Sequence, residues 1–199
     1  MIELRRGQGL YLPSCDLWLD PRAPASTAFV SHAHADHTGR HRRVLATPET
    51  LALMEARMRV TWRPQAAPFG QAVQRGGARL VLLPAGHVLG SAQLLAETDG
   101  GTLLYTGDFK LRPGLSCEPA RPARADVLVM ETTFGIPRYR FPPAEETRAA
   151  MVRFCLETLE GGGTAVLLAY SLGKAQEALF ALGAAGIVPT LHESVWRMT

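Results

Sequence analysis

The sequence predicts an α/β protein in two parts, a strand-rich region over residues 1–141 and a helix–strand unit over residues 142–199. Three observations carry this. Short apolar runs separated by turn residues dominate the first two-thirds of the chain. A proline-rich bridge (Pro137, Pro142, Pro143) then breaks the pattern. Beyond it, apolar residues recur at helical spacing and alternate with short apolar runs, as in a parallel α/β unit with its own core.

Taken in order, Leu10-Tyr11-Leu12 and Leu17-Trp18-Leu19 read as strands joined by the turn Pro13-Ser14-Cys15-Asp16. Ala28-Phe29-Val30 is a third, and Val44-Leu45-Ala46 a fourth. Thr47 is an N-cap with Pro48 as the first helical residue, and Leu51, Met54 and Met58 share one face of that helix. Residues 79–84, 91–98, 102–106 and 126–130 read as further strands, with Asp99-Gly100-Gly101 as a hairpin turn. Residues 143–160 form a helix with Glu145 and Glu146 in its first turn and Gly161 at its end. Residues 164–169 are expected as a strand, 172–182 as a helix and 188–191 as a last strand.

Composition bounds the function classes. An apolar content of 47% supports a real core. Cys15, Cys117 and Cys155 are far apart and form no Cys-x-x-Cys pair, which argues against a disulfide scaffold and fits a reducing compartment. No apolar run follows Arg5 and Arg6, so no signal peptide is expected, and the run from Ala165 to Tyr170 is too short to cross a bilayer. A soluble, cytoplasmic protein is the expectation. The net charge of +3 is concentrated between Thr38 and Leu80, where eight arginines face only Glu49 and Glu55. A solvated basic face is the ordinary reading; beside a metal site, the same charge favours an anionic substrate.

The chemistry centres on Ser31-His32-Ala33-His34-Ala35-Asp36-His37. Four of the six histidines (His32, His34, His37, His41) lie within ten residues. Alternation places His32 and His34 on one side of an extended loop, and Asp36 and His37 follow where the chain turns. One loop can thus offer ligands to two neighbouring metals, for which imidazole and carboxylate suit zinc. As isolated residues, Asp20 before Pro21 is a turn aspartate, His87 a polar loop residue and Glu131 a strand-end carboxylate. Asp108 and His87 each follow a strand and a glycine, a position that holds a ligand rigidly. Two decoys fail: Gly173-Lys174 lacks the earlier glycine of a P-loop, and Gly161-Gly162-Gly163 reads as a helix stop.

The spacing His-x-His-x-Asp-His resembles the signature of the metallo-β-lactamase superfamily. Residues 84–93 (Pro84-Ala85-Gly86-His87 through Gln93) look like the third metal motif of its nucleic-acid-processing branch, and Tyr105-Thr106-Gly107-Asp108-Phe109 like the fourth. The resemblance implies that His32, His34 and His87 hold one metal, Asp36 and His37 the other, and that Asp108 bridges them. Asp20 resembles the aspartate of the first motif, which orients the histidine loop. Val129-Met130-Glu131-Thr132-Thr133-Phe134-Gly135 looks like motif A of the β-CASP group, whose acid lies near the metals and helps organise proton transfer. The implied fold is an αββα sandwich followed by the start of an inserted β-CASP α/β domain. Gly9 to Pro13, Asp126 to Phe141 and Gly173-Lys174 look most like the bacterial DNA-ligase-associated exonucleases. That pattern continues beyond Thr199 and carries two further histidines, so the expectation is a fragment whose second metal site is short of a ligand. His192 precedes both positions and reads as a surface or interface residue.

The resemblance therefore implies a hydrolase using two Zn2+ ions to cleave phosphodiester bonds, an exonuclease with DNA favoured over RNA. Asp36 would be general base as well as ligand, and Glu131 would assist the proton relay. Nucleic acid is the implied partner, with a DNA ligase or helicase alongside and no membrane. Two other classes compete: a non-catalytic metal-bound nucleic-acid-binding or assembly subunit, and a thioester or lactone metallo-hydrolase. Chelation-sensitive strand cleavage excludes the first, and the Glu131 motif speaks against the second.

Overall fold

The computed structural model describes residues 2–7, 9–58 and 62–199. The chain divides into two compact units, Met1–Glu131 and Thr132–Thr199.

In the first unit, β1 (Arg5–Arg6), β2 (Leu10–Leu12), β3 (Leu17–Leu19), β4 (Thr27–Phe29), β5 (Arg43–Ala46) and β6 (Arg63–Ala66) form one sheet in that order. β1–β3 pair antiparallel and β3–β6 parallel. A second sheet has the order β11 (Val127–Val129), β10 (Gly101–Tyr105), β9 (Ala92–Thr98), β8 (Ala78–Pro84) and β7 (Ala72–Arg75). β7 to β10 are antiparallel neighbours, and β11 joins β10 in parallel. The two sheets enclose one core: Leu12, Leu17, Leu19, Phe29 and Leu45 from the first meet Leu80, Leu82, Leu94 and Leu103 from the second. Each of these side chains is almost wholly buried, worth roughly 1.5–3 kcal/mol apiece in transfer free energy. Alternation does the rest. Leu45 faces this core while its neighbours Val44 and Ala46 are buried on the opposite face of β5.

α1 (Pro48–Arg57) begins as the sequence predicts, with Thr47 Oγ1 accepting from Thr50 N at 3.1 Å and Pro48 in the first turn. That cap also reaches across the fold. The hydroxyls of Thr47 and Thr50 donate to the Gly90 carbonyl at 2.7 and 3.0 Å, which ties the helix start to the loop after β8. Asp126 sets the far edge: its Oδ2 accepts from Thr102 N and Thr102 Oγ1, both at 2.8 Å, fixing the entry to β11 against β10.

The second unit contains α2 (Ala144–Glu160), α3 (Lys174–Ala184) and the short α4 (Glu193–Trp196). Cys155, Leu172, Ala175, Ala181, Leu182 and Met198 are its buried hydrophobic residues. Gln176 closes the start of α3 by accepting from Gly173 N at 2.7 Å and donating to Ser171 O at 3.0 Å. The strands expected at 164–169 and 188–191 are not formed. A parallel strand of this apolar type needs neighbours for its ladder and helices on its faces. Among the described residues these runs have no such neighbour, and Leu168 and Val188 are 95% and 94% exposed. No helix of the described residues is long and apolar enough to cross a membrane.

Candidate metal centre

The loops after β4, β8 and β10 converge at one end of the sandwich. Ala92 N donates to Ser31 O at 2.8 Å, joining the histidine loop of the first sheet to β9 of the second. The His87 loop is held by Ser91, whose hydroxyl oxygen accepts from His87 N at 3.0 Å and Val88 N at 3.1 Å. Two glycines let these loops close. Gly86 has φ +77, and a Cβ there would meet the Lys110 carbonyl at 2.3 Å. Gly107 has φ +54, and its Cβ would stand 2.5 Å from Ser31 Cβ.

Four side chains meet at the centre: the ligand atoms of His32, His34, His87 and Asp108 all lie within 4.8 Å of one another. His32 Nε2 is 2.9 Å from His34 Nδ1, and His87 Nε2 is 3.2 Å from the same atom. Asp108 Oδ2 lies 3.9 Å from His32 Nε2 and 3.8 Å from His87 Nε2. His32 is fully buried, and its Nδ1 is 3.0 Å from Ser31 Oγ, which leaves Nε2 to face the cluster.

The donor set fits a zinc-sized ion. Ligands at the usual Zn–N length around a tetrahedral centre stand about 3.3 Å apart, within the spread of these distances. Three imidazole nitrogens aimed at one point also present converging lone pairs, which a cation would satisfy. Burial, with the neighbouring imidazoles His37, His34 and His87, holds the His32 pKa well below its ordinary value. Burial and His34 push His87 down to about 4. Both rings are thereby kept neutral, as metal ligation requires.

His37 and Asp36 border this group. His37 Nε2 is 3.5 Å from Asp108 Oδ1 and 3.8 Å from Asp36 Oδ2, while the Asp36 side chain is 77% exposed. Burial opposes protonation of His37, but Asp20, Asp108 and Asp36 together carry its pKa above the ordinary value. Asp20 Oδ2 sits 3.0 Å from His37 Nδ1, and Asp20 Oδ1 accepts from Ser31 N at 2.7 Å. Glu131 lies two residues past Val129, which pairs with Tyr105, so the register brings it level with Gly107. Its charge acts on both His87 and Asp108. Asp108 itself is raised above the usual carboxylate range by burial, with His37 lowering it and Glu131 raising it.

His41 takes no part. It is 2% exposed, with neither ring nitrogen hydrogen-bonded, and burial lowers its pKa. His192, in the second unit, caps α4 by accepting from Ser194 N at 3.2 Å. Two contacts went unread in the sequence. Arg57 Nη1 donates to the Ala33 carbonyl at 2.6 Å, between the first two histidines, and Tyr105 Oη donates to Asp20 Oδ2 at 3.0 Å. Tyr105 stands three residues before Asp108 at the end of β10, and that position was its one visible signal.

A two-sheet sandwich thus carries, at its loop end, a histidine–aspartate cluster that could hold a metal ion. No family model matches the chain. It is similar to a probable DNA ligase of Opitutus terrae, 44% identical over 199 residues, which covers 99% of this chain and 20% of that protein. It is also similar to an RNase J-like protein of Methanocaldococcus jannaschii, 29% identical over 89% of this chain and 50% of that protein. A crystal structure of a protein of unknown function from Enterococcus faecalis shares the fold, with a TM-score of 0.55 and 16% identity over 79% of this chain and 44% of that one. These relatives, by the names they carry, indicate the β-CASP nuclease family of the metallo-β-lactamase superfamily. The chain spans a fifth to a half of the length of these curated relatives.

Proposed function

We propose that residues 1–141 form the metal-binding domain, and residues 142–199 part of a β-CASP-like domain, of a zinc-dependent nuclease that hydrolyses nucleic-acid phosphodiester bonds. The observation that carries this is the convergence of His32, His34, His87 and Asp108 beside His37 and Asp36. In this reading His32, His34 and His87 hold one zinc, Asp36 and His37 the other, and Asp108 serves both. When bound, zinc supplies Lewis acidity toward phosphate oxygens and brings the pKa of water toward neutrality. Asp36, the most exposed of the acids, accepts the proton of the attacking water. Glu131 passes protons at the Asp108 end of the site. Asp20 holds the His37 ring.

The DNA-ligase name of the 44% identical relative supports DNA as the substrate and action beside a ligase; exonuclease cleavage and a cytoplasmic setting complete the proposal. RNA hydrolysis is the second reading, favoured by the name of the RNase J-like relative. The test is end-labelled DNA and RNA strands offered to the zinc-loaded chain. DNA shortened from one end, with loss on chelation and recovery on adding zinc, is the expected result. Cleavage confined to RNA would replace the first reading with the second. No cleavage of either by a chain that holds its zinc would leave a non-catalytic binding subunit.

A further inference from the structure

We infer that Tyr105 is a positioning residue of the metal centre, acting through Asp20 to hold the ring of His37. The inference rests on the metal-centre reading above. Asp20 occupies a demanding place: its backbone is left-handed at φ +40 and its side chain is only 4% exposed. A carboxylate so buried is tolerable only where its oxygens are satisfied. Oδ1 accepts from Ser31 N at 2.7 Å and Oδ2 accepts from Tyr105 Oη at 3.0 Å, while the same Oδ2 lies 3.0 Å from His37 Nδ1 in a charge contact without hydrogen-bond alignment. Tyr105 and His37 therefore share one oxygen. Its two contacts fix the carboxylate plane, and the plane fixes the direction of the imidazole.

Tyr105 is itself rigid. It pairs with Leu94 and Val129 on either side, and its ring meets Phe29 edge-on with centroids 6.2 Å apart. It also ends β10, the strand that delivers Asp108 three residues later. Strand β10 thus reaches His37 twice, once through Asp108 Oδ1 at 3.5 Å and once through Tyr105 and Asp20. The contacts close into a circuit, Asp108–His37–Asp20–Tyr105, anchored at both ends on one strand. A phenylalanine would fill the same space beside Phe29 but leave Asp20 Oδ2 with His37 alone. The carboxylate could then rotate, and the imidazole with it.

The test is a double-mutant cycle on the full chain with Tyr105→Phe, Asp20→Asn and both together. The readouts are zinc affinity against a competing chelator and the visible absorption of the cobalt-substituted chain. Tyr105→Phe should weaken the more labile metal about tenfold and alter the cobalt spectrum while the metal-free chain still folds. In the Asp20→Asn background it should add nothing. Wild-type affinity and spectrum in Tyr105→Phe, or an effect that adds in full to that of Asp20→Asn, would overturn the inference. Should Tyr105→Phe fail to fold, the wild-type chain offers another readout. The His37 Nδ1 and Tyr105 hydroxyl protons should both resist solvent exchange and both be lost in Asp20→Asn; retention of either would overturn it. A wild-type chain that takes up no metal would sink the metal-centre reading itself, and this inference with it.

Discussion

Asp108 Oδ1 stands 3.5 Å from His37 Nε2, while Oδ2 of the same carboxylate faces the His32–His34–His87 group. The one carboxylate thus faces both halves of the histidine set, each through a different oxygen. Asp108→Ala should therefore lower the metal content of the chain and abolish strand cleavage together. Elemental analysis and a cleavage assay on the same preparation check this. Turnover that survives the substitution would sink the proposed role.

Glu131 makes a different prediction, because it influences His87 and Asp108 by its charge but is not among the converging ligand atoms. Glu131→Gln keeps the shape and removes the charge. Metal content should stay at the wild-type level while single-turnover cleavage falls about a hundredfold, the usual scale for losing a proton-transfer group. A fall in bound metal would instead make Glu131 a ligand.

The contrast between what was legible in the sequence and what was not has physical causes. The apolar runs of β2–β5 and β8–β11 and the Thr47-Pro48 helix start are local signals, and each element formed close to its expected place. β6 and β7 gave no such signal. Arg63-Pro64-Gln65-Ala66 carries no apolar alternation and is a strand because β5 offers it an edge; proline is tolerated there because the strand is at the sheet margin. The runs at 164–169 and 188–191 failed in the opposite way, with strand composition and no ladder. At the site, clustering made the histidine loop readable, and glycine before His87 and Asp108 marked strand ends. The Tyr105–Asp20 bond joins residues 85 positions apart, and no local pattern announces it.

Gly107 tests whether the loops must close as tightly as they do. Its φ of +54 is costly for any other residue, and an added Cβ would stand 2.5 Å from Ser31 Cβ and 2.6 Å from Ser31 Oγ. Relief requires moving Ser31, the neighbour of His32. Gly107→Ala should destabilise the metal-free chain by about 1–3 kcal/mol, read from urea midpoints. It should also weaken zinc binding. An unshifted midpoint would mean that the two loops do not approach so closely in solution.

The buried imidazoles predict the pH dependence of the metal-free chain. His87 is pushed down to about 4 by burial and then by His34, and His32 and His41 are lowered by burial in the same direction. In the unfolded chain these rings titrate at the ordinary 6.5. Between that value and about 4 the unfolded state takes up protons that the folded state refuses, so stability must fall as the pH falls through this window. His37 and Asp108 work against the trend: the raised pKa of His37 stabilises the fold below 6.5, a contribution lost as the pH rises through the folded value, and the Asp108 carboxyl, raised by burial, takes up its proton at higher pH folded than unfolded. The large downward shifts of His32 and His87 dominate, so the melting temperature in chelator should drop from neutral pH to pH 5. His87→Gln should flatten that slope. Zinc should restore the melting temperature at pH 5 in the wild-type chain, because ligation needs the neutral ring that the fold already imposes on His87. A melting temperature that rises toward acid pH in chelator would show that His37, and not the buried trio, governs the titration.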